Sequence, residues 1–300
     1  MGFPYAMWIV RIDHPRWPVY LQTMDQNLAL GTADTARGAW QNKLLAALPR
    51  QVWARVEPHL SAIHAQPGEI LGQSHLPLDY AYFPLTSIVS IQYMTTDGAT
   101  IEIAAVGSEG VVGVNLFLGG GAAANRLVVQ NLGHIYRLRR EVLQKEFSRG
   151  GAMQKLLLQY TQRLLAQIAQ ISVCNQRHSI DQQLSRWLVQ TLDRLGSQEV
   201  MITHELLANT LGVRREGITE AAVKLQRAGI INYQRGRIVV IDPMKLKARC
   251  CECYAVMRYA HSELTRWPPA RRQIMMCPAA DSNPQAMINL KFAYESPIPI

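Results

Sequence analysis

The sequence predicts an α+β protein with an N-terminal antiparallel β-roll of the jelly-roll type, a long dimerisation helix and a C-terminal winged helix-turn-helix. Short β-rich runs alternate with turn residues between positions 64 and 140, which favours a roll or barrel. One long amphipathic stretch follows over 151–176, and further on two closely spaced helices precede a hairpin centred on Gly236. Helix, helix, helix, hairpin is the outline of a winged helix-turn-helix.

We expect five segments along the chain. Residues 1–40 carry scattered Pro, Gly and Thr without a sustained period, which is typical of a low-order extension. The other segments are an effector-like β-roll at 41–150, the dimerisation helix at 151–176, the winged helix-turn-helix at 177–250, and a tail at 251–300 that is largely disordered beyond about residue 267.

The composition indicates a chain long enough for two cored domains, with an excess of positive charge. Its 300 residues are 48% hydrophobic, and 31 Lys and Arg outnumber 22 Asp and Glu. This excess favours a polyanionic partner, either nucleic acid or an anionic membrane surface. No apolar run reaches the roughly 18 residues of a membrane span, and the opening lacks the features of a secretory signal. We therefore expect a cytoplasmic protein without a membrane partner.

The long amphipathic stretch has apolar residues at steps of three and four, as a helix with one apolar face does. It is longer than one small domain requires, so a partner helix is expected. Two interpretations remain open, a helix buried in its own chain and a seam between two chains. For the two-chain seam we expect contacts from Leu157, Tyr160, Leu164, Ile168 and Ile171.

Residues 201–231 contain two helices that are too close together for a long loop. Thr203 can cap the first helix, and Gly212 ends it where the backbone φ must become positive. Ala208 is small enough to let the helices cross closely. The positions between the helices are apolar throughout, being Leu207, Leu211, Val213, Ile218 and Ala221.

The N-terminal turn of the second helix is predicted to expose charged side chains. Arginines there are mildly unfavourable because that end of a helix carries partial positive charge, so we expect an external anion to compensate. Arg pairs with guanine O6 and N7, and a carboxylate accepts from a cytosine amino group. The alternative is a solvated charged face. We expect bases to be read by Arg214, Arg215, Glu216, Thr219 and Glu220, and phosphates to be bound by Thr203, His204, Lys224, Arg235 and Arg237.

From about Gln41 to Tyr254, the chain resembles the Crp/Fnr family of bacterial transcription regulators. The sharpest stretches are "YFPLTSIVSI" and "GSEGVVG" in the roll and "LLANTLGVRREGITEAAVKLQRAGII" in the helix-turn-helix. The resemblance implies a homodimer on a near-palindromic site in double-stranded DNA, base reading by Arg215 and Glu216, and RNA polymerase as a further partner. Arg214 and Gly217 flank that pair where the family often has Ser or Thr, so the base sequence recognised stays open.

The segment "VVGVNLFLGGGAAANRLVVQN" bears on the effector of the roll. Cyclic-nucleotide-binding relatives have Gly-Glu there, followed by Arg-Ser or Arg-Thr. Gly113 is retained here, but Val114 replaces the Glu and Asn125-Arg126 replaces Arg-Ser. A buried phosphate would lack its positioned arginine, so we expect neither cyclic AMP nor a cofactor. If a nucleotide binds at all, the candidate residues are Gly113, Asn125 and Arg126.

Metal-binding patterns are weak in the sequence. The "CCEC" run at 250–253 supplies three thiols without a fourth ligand at useful spacing, so we predict no metal site. One alternative function is a metal-dependent enzyme on a cupin-like roll. It would need two or three histidines and a carboxylate, and no His-x-His pair occurs in the roll, so we expect no enzyme. Another is a ligand-independent DNA-binding protein whose roll is only a scaffold.

Overall fold

The computed structural model describes residues 41–96, 98–122 and 124–262. The extension predicted for 1–40 and the disorder predicted beyond 267 lie outside these ranges. None of the helices in the described ranges combines the length and the apolar character that a membrane span needs.

Two short helices precede the roll, and one buried asparagine anchors them to it. They are α1 (Lys43–Ala46) and α2 (Arg50–Val56). The Asn42 Oδ1 atom accepts hydrogen bonds from two backbone N–H groups in the first turn of α1. The Asn42 Nδ2 atom donates to the carbonyls of Pro84 and Gly110, each at 2.9 Å. A single cap therefore joins these helices to two separate segments of the roll.

The roll consists of two antiparallel sheets that share one apolar core, as predicted. Its strands are β1 (Leu60–Ala65), β2 (Ile70–Gly72), β3 (Tyr80–Pro84), β4 (Val89–Met94), β5 (Thr100–Val106), β6 (Arg126–Val129) and β7 (Gly133–Arg139). One sheet has the order β1-β7-β3 and the other β2-β6-β4-β5. Phe83 pairs with Tyr136 across β3 and β7, and both rings are buried in the core.

Two helices follow the roll, α3 (Arg140–Ser148) and α4 (Ala152–Arg177). Gly150 and Gly151 join them with φ values of 75° and 80°, which glycine adopts without strain. The 26 residues of α4 give a length of about 39 Å. Its first turns pack on the roll, and its last turns pack on the C-terminal helix described below.

The face of α4 that was predicted to join two chains packs inside its own chain instead. Leu157, Tyr160 and Leu164 are buried in the core of the roll. Ile168 packs at the edge of that core, and Ile171 packs against a small cluster at the C-terminal helix. The prediction that Leu157, Tyr160 and Leu164 contact a second chain therefore needs correction, because these three side chains are buried within their own chain. Ile168 and Ile171 are only partly buried.

A second apolar stripe of α4 faces solvent. Its largest members, Leu158, Leu165 and Val173, are 45%, 63% and 50% exposed. Positions 158, 162, 165 and 169 are all exposed and follow alternating steps of four and three, which is the spacing of a coiled-coil seam. We call this surface the α4 stripe, and it comprises Leu158, Gln162, Leu165, Ala169 and Val173. Its heptad positions are offset from those of the predicted seam by one residue, a rotation of about 100° around the helix axis.

The C-terminal part is a winged helix-turn-helix with its own apolar core, as predicted. A capping box of Ser179 and Gln182 begins its first helix. The turn of the wing contains Arg235 and Gly236, with φ values of 48° and 79°. The elements are α5 (Ile180–Leu195), β8 (Glu199–Met201), α6 (His204–Leu211), α7 (Arg215–Arg227), β9 (Ile231–Gln234), β10 (Arg237–Val240) and α8 (Pro243–Ala248).

A last helix, α9 (Cys253–Ser262), lies in the segment predicted as the tail. Cys253 and Met257 on this helix are buried against the C-terminal end of α4. With Cys174 and Cys251 they form a small core that is separate from the other two. The tail therefore begins with a packed helix.

Candidate nucleic-acid interface and roll cavity

The turn between α6 and α7 is held by the two residues that the sequence singles out. The Thr203 hydroxyl caps α6 by accepting a hydrogen bond from the Leu206 N–H at 3.1 Å. Gly212 ends α6 in the left-handed region, at a φ of 66°. The Val213 N–H then donates to the Ala208 carbonyl at 3.0 Å. The predicted cap and turn are confirmed, and they set the direction in which α7 leaves the turn.

The first turn of α7 presents charged side chains to solvent. Arg214, Arg215 and Glu216 are all exposed, and within the described part of the chain their side chains make no hydrogen bond or ion pair. On the opposite side of α7, Ile218 and Ala221 are fully buried. The helix is thus fixed by its apolar face, and its charged turn is available to an external partner.

The predicted contacts Thr219 and His204 bond to each other across the two helices. The Thr219 Oγ1 atom lies 3.0 Å from the His204 Nδ1 atom and donates to the Arg215 carbonyl at 3.0 Å. The His204 ring also stacks on Tyr233 of the wing, with ring centroids 4.1 Å apart. Burial, and then the charge of Arg215, lower the pKa of His204. Sequence reasoning missed Tyr233, because a lone tyrosine in a strand carries no sign of a stacking partner.

Two of the predicted phosphate contacts are engaged in ion pairs. The Lys224 Nζ atom lies 3.0 Å from the Glu220 Oε1 atom on the same face of α7. The Arg237 guanidinium is paired with the Glu199 carboxylate across β10 and β8. Arg235 is exposed in the wing turn, and its side chain has no partner among the described residues. A phosphate would therefore find Arg235 free, whereas Arg237 would have to leave Glu199.

The packing of α7 against α5 explains why residue 217 is a glycine. A Cβ atom added at Gly217 would lie 2.6 Å from the Cδ1 atom of Ile180 at the start of α5. The departure from Ser or Thr at this position thus lets α7 approach α5 closely.

The roll contains a small cavity of about 60 Å³ at the candidate effector residues. Gly113 and Asn125 line it, together with apolar side chains that include Leu164 of α4. Arg126 does not line the cavity. It is the first residue of β6 and pairs with Gln92 of the neighbouring strand. Pockets for small-molecule ligands usually measure about 300–1,000 Å³, so the cavity in this conformation is far below that range.

A family model for the Crp-like helix-turn-helix domain matches residues 182–249, which cover all but the start of the segment from α5 to α8. This part of the chain is a Crp-like helix-turn-helix domain. No curated protein matches the chain at a significant level.

Solved structures of bacterial regulators share the fold beyond the Crp-like domain. FixK2 from Bradyrhizobium japonicum is 16% identical, with 64% of this chain and 98% of that chain covered and a TM-score of 0.56. A CRP-family transcriptional regulator from Thermus thermophilus is 17% identical, with 62% and 95% covered and a TM-score of 0.53. A CRP/FNR-family regulator from the same organism is 19% identical, with 63% and 97% covered and a TM-score of 0.52.

The TM-scores of these three structures show a common fold. Together with the domain match they confirm the predicted resemblance to the Crp/Fnr regulators. The chain has the fold of a Crp/Fnr transcription regulator with a helix-turn-helix DNA-binding domain.

The Crp-like domain rests on the β5 edge of the roll. At the α6–α7 turn, a Cβ atom added to Gly212 would be only 3.4 Å from the Ile101 side chain. Next to this contact, the Arg194 Nε atom of α5 lies 2.8 Å from the Glu109 Oε1 atom of the roll, and both side chains are at most 10% exposed. The roll therefore touches the same turn that directs α7.

A buried carboxyl group lies between the roll and the Crp-like domain. Glu102 of β5 accepts hydrogen bonds from Ser90 at 2.6 Å, from Gln130, and from the Trp187 side chain of α5. Burial raises the pKa of Glu102 to about 7, although the hydrogen bonds from Ser90 and Trp187 and the charges of Arg194 and Arg186 act in the opposite direction. Nothing in the sequence marks this glutamate, because only the assembled fold removes it from water.

The prediction that the "CCEC" run lacks a fourth ligand needs correction. Cys251 and Cys253 lie beside Cys174 and His178 at the end of α4, and the potential ligand atoms of all four are within 4.8 Å of one another. Cys250 is not part of this group, because its thiol points to the Leu246 carbonyl of α8. The missing partners are about 75 positions away in sequence, so local spacing could not reveal them.

Proposed function

We propose that the chain is a homodimeric transcription regulator that binds a specific, near-palindromic DNA site through α7. The observation that carries the proposal is the exposed first turn of α7, where Arg214, Arg215 and Glu216 have no internal partner among the described residues. An arginine there can pair with guanine and a glutamate can accept from cytosine, which gives base preference. The excess of positive charge supports a polyanionic partner.

Phosphate contacts on either side of α7 would fix its register in the groove. Thr203 and His204 lie at the start of α6, Arg235 projects from the wing, and Lys224 lies further along α7. We assign Arg237 to this set as well, with a phosphate oxygen taking the place of the Glu199 carboxylate.

Dimerisation is proposed through the α4 stripe. Exposed Leu158 and Leu165 are one heptad apart, and pairing with a second copy would remove both from water. A twofold dimer can place two α7 helices about 34 Å apart, in successive major grooves on one face of DNA. The near-palindromic form of the site follows from this symmetry.

The roll is proposed to be a degenerate sensor domain that does not bind cyclic AMP. Its small cavity has no charged side chain among the described residues that line it, and Arg126 lies outside it. A nucleotide phosphate would have no fixed cation there. We expect cyclic AMP at millimolar concentration to leave the melting temperature unchanged, and a rise of several degrees would contradict this part of the proposal.

Three further elements complete the proposal. A protein that acts on bacterial DNA works in the cytoplasm, which is the location we propose. The resemblance to Crp/Fnr regulators supports contact with RNA polymerase, and transcription in vitro from a selected site would test that contact.

We also propose that the chain is not an enzyme. His64 and His134 face each other on β1 and β7, with ring centroids 5.1 Å apart, and in the described ranges no third potential ligand joins them.

The proposed reading role of α7 is tested by binding to duplexes selected from a random pool. Arg215→Ala should weaken binding to the selected duplex by roughly 5- to 150-fold, which corresponds to about 1–3 kcal/mol, and should affect random duplex much less. Arg227→Ala, at the far end of the same helix, is the matched control. Fluorescence anisotropy at fixed salt measures both affinities. Equal losses on selected and random DNA for Arg215→Ala would refute base reading.

The proposed dimer is tested at the α4 stripe. Leu165→Glu places a charge at the centre of the seam and should shift sedimentation velocity from dimer to monomer. Leu118→Glu, at a similarly exposed leucine of the roll, should leave the dimer intact. A monomeric wild-type protein at micromolar concentration would contradict the assembly.

A further inference from the structure

Four potential metal ligands meet where α4 ends and the Crp-like domain begins. Cys174 lies in the last turns of α4, and His178 is the residue that follows this helix. Cys253 is the first residue of α9, and Cys251 lies two residues before it. The Cys174 and Cys251 Sγ atoms are 3.5 Å apart, and the Cys253 Sγ atom is 3.5 Å from the His178 Nδ1 atom. No ligand atom of the four is more than 4.8 Å from another.

These distances suit a single tetrahedral ion. Zinc binds thiolate sulfur at about 2.3 Å and imidazole nitrogen at about 2.0–2.1 Å, so two ligand atoms at the tetrahedral angle lie about 3.5–3.8 Å apart. Structural zinc sites use four such ligands, and three cysteines with one histidine are a common set. A disulfide between Cys174 and Cys251 would require the two sulfur atoms to approach from 3.5 Å to about 2.05 Å.

The surroundings of the four residues match those of a metal site. The His178 Nε2 atom lies 3.2 Å from the Glu252 carboxylate, which leaves the Nδ1 atom to face the thiols. A carboxylate behind a histidine orients the ring and raises its basicity toward a metal. The Gln170 Nε2 atom lies 3.0 Å from the Cys253 Sγ atom, as a donor to a thiolate would.

Arg186, a buried cation near the cluster, would be stabilised by negatively charged thiolates among these four residues. Arg186 of α5 is 2% exposed, and its Nε atom has no hydrogen-bond partner among the described residues. One of its terminal nitrogens donates to the Gln190 Oε1 atom at 2.9 Å, and its charge acts on the Cys174 thiol and on the buried Glu102 carboxyl group. A buried guanidinium with an unbonded N–H group is costly, and an anionic centre beside it would offset that cost.

We propose that Cys174, His178, Cys251 and Cys253 bind one Zn²⁺ ion. On binding, the three thiols lose their protons to solvent and become thiolates, while His178 binds as the neutral ring through its Nδ1 atom. Two positive charges and three thiolates give the centre a net charge of −1, which Arg186 can balance. Zinc neither gains nor loses an electron in this step.

The position of the site indicates what zinc does. Only His178 and Ser179 separate α4 from α5, and we call these two residues the hinge. The four ligands therefore connect α4, the hinge and the start of α9. Zinc would hold the Crp-like domain at a fixed angle to the α4 stripe, and hence set the spacing of the two α7 helices. This consequence, unlike the metal site itself, rests on the proposed function.

Metal content of the full chain tests the site. Protein purified under reducing conditions and incubated with ZnCl₂ should keep about one Zn²⁺ per chain after dialysis, as measured by mass spectrometry. Replacement with CoCl₂ should give the thiolate charge-transfer and tetrahedral d–d absorption bands. Cys174→Ser and Cys253→Ser should lose both signals, while Cys250→Ser, the adjacent cysteine outside the cluster, should keep them. A metal-free wild type, or equal zinc in Cys174→Ser and Cys250→Ser, would overturn the proposal.

Two milder variants keep the test decisive if a buried serine impairs folding. His178→Ala removes a ligand at the edge of the cluster, so a water would take the fourth position; the variant should bind zinc more weakly and shift the cobalt d–d bands, while circular dichroism stays that of the wild type. Glu252→Gln removes only the supporting carboxylate and should weaken zinc affinity by about tenfold or more. Unchanged zinc affinity in His178→Ala would rule out the assigned ligand set.

DNA binding then tests the role of the hinge. Removal of zinc by a chelator should lower the affinity of the wild type for its selected duplex, and Cys250→Ser should respond in the same way. If zinc binds and DNA affinity is unaffected by its removal, the role of the hinge is wrong and the site stands. If no form of the protein binds DNA, the proposed function fails, and the zinc content still decides the site.

Discussion

Replacement of Glu102 by Gln should make the protein more stable at pH 8 and remove part of its dependence on pH. Glu102 is buried between the roll and the Crp-like domain, and burial raises its pKa from 4.5 to about 7. One pKa unit corresponds to about 1.4 kcal/mol, so ionising this group costs the folded state about 3 kcal/mol relative to the unfolded chain.

The direction of the effect follows from the raised pKa. Below pH 4.5 the carboxyl group is protonated in both states, and its contribution to stability is fully present. Between pH 4.5 and about 7 the unfolded state ionises first, so this contribution is lost progressively as the pH rises. Glutamine stays neutral and can still accept from Ser90. The variant should therefore exceed the stability of the wild type by less than about 1 kcal/mol at pH 5 and by up to about 3 kcal/mol at pH 8.

Urea denaturation at pH 5, 6, 7 and 8 measures the difference. Glu141→Gln is the control, because Glu141 is 72% exposed and its nearest cation, Arg140, lies 3.9 Å away. An exposed pair of this kind contributes about 1 kcal/mol or less, so this control should follow the wild type at every pH. Parallel curves for Glu102→Gln and the wild type from pH 5 to 8 would refute the assignment of a neutral, buried carboxyl group.

Two further substitutions test the buried ion pair between the roll and the Crp-like domain, and the turn between α6 and α7. Glu109→Gln leaves the Arg194 charge buried without its partner and should lower the free energy of unfolding by about 3–5 kcal/mol, while Asp79→Asn in an exposed ion pair should cost about 1 kcal/mol or less; equal losses would show that burial does not govern the pair. Gly212→Ala places a Cβ atom on a backbone with a φ of 66°, so thermal unfolding should show a loss of about 1–2 kcal/mol from backbone strain, because the nearest side chain of the roll, Ile101, lies at an ordinary contact distance of 3.4 Å. Gly121→Ala, which meets open space at a φ outside the left-handed region, should be neutral, and a neutral Gly212→Ala would contradict the left-handed turn that ends α6.

Sequence reasoning succeeded where the governing interactions are local. The cap at Thr203, the turn at Gly212 and the wing around Gly236 each depend on backbone preferences within a few residues. The apolar positions of α6 and α7 likewise follow from helical periodicity, and they determine that Arg215 faces outward. The order of roll, long helix and winged domain could therefore be predicted from patterns along the chain.

The two faces of α4 show where such reasoning stops. Leu157 and Leu158 are adjacent and chemically identical, yet one is buried in the roll and the other is exposed. A helix with apolar residues on two faces satisfies the same spacing rule for either face, and only the position of the roll decides between them. The predicted seam was wrong for Leu157, Tyr160 and Leu164 for that reason.

What the sequence determined by itself is the set of elements, their order, and the charged first turn of α7, because each of these depends on neighbours in the chain. The tertiary structure alone decided which face of α4 is free, which arginines are already paired, and that Glu102 is shielded from water. It also brought Cys174 and His178 to Cys251 and Cys253. Burial and ligand geometry depend on distances between residues far apart in sequence, and those distances exist only once the chain has folded.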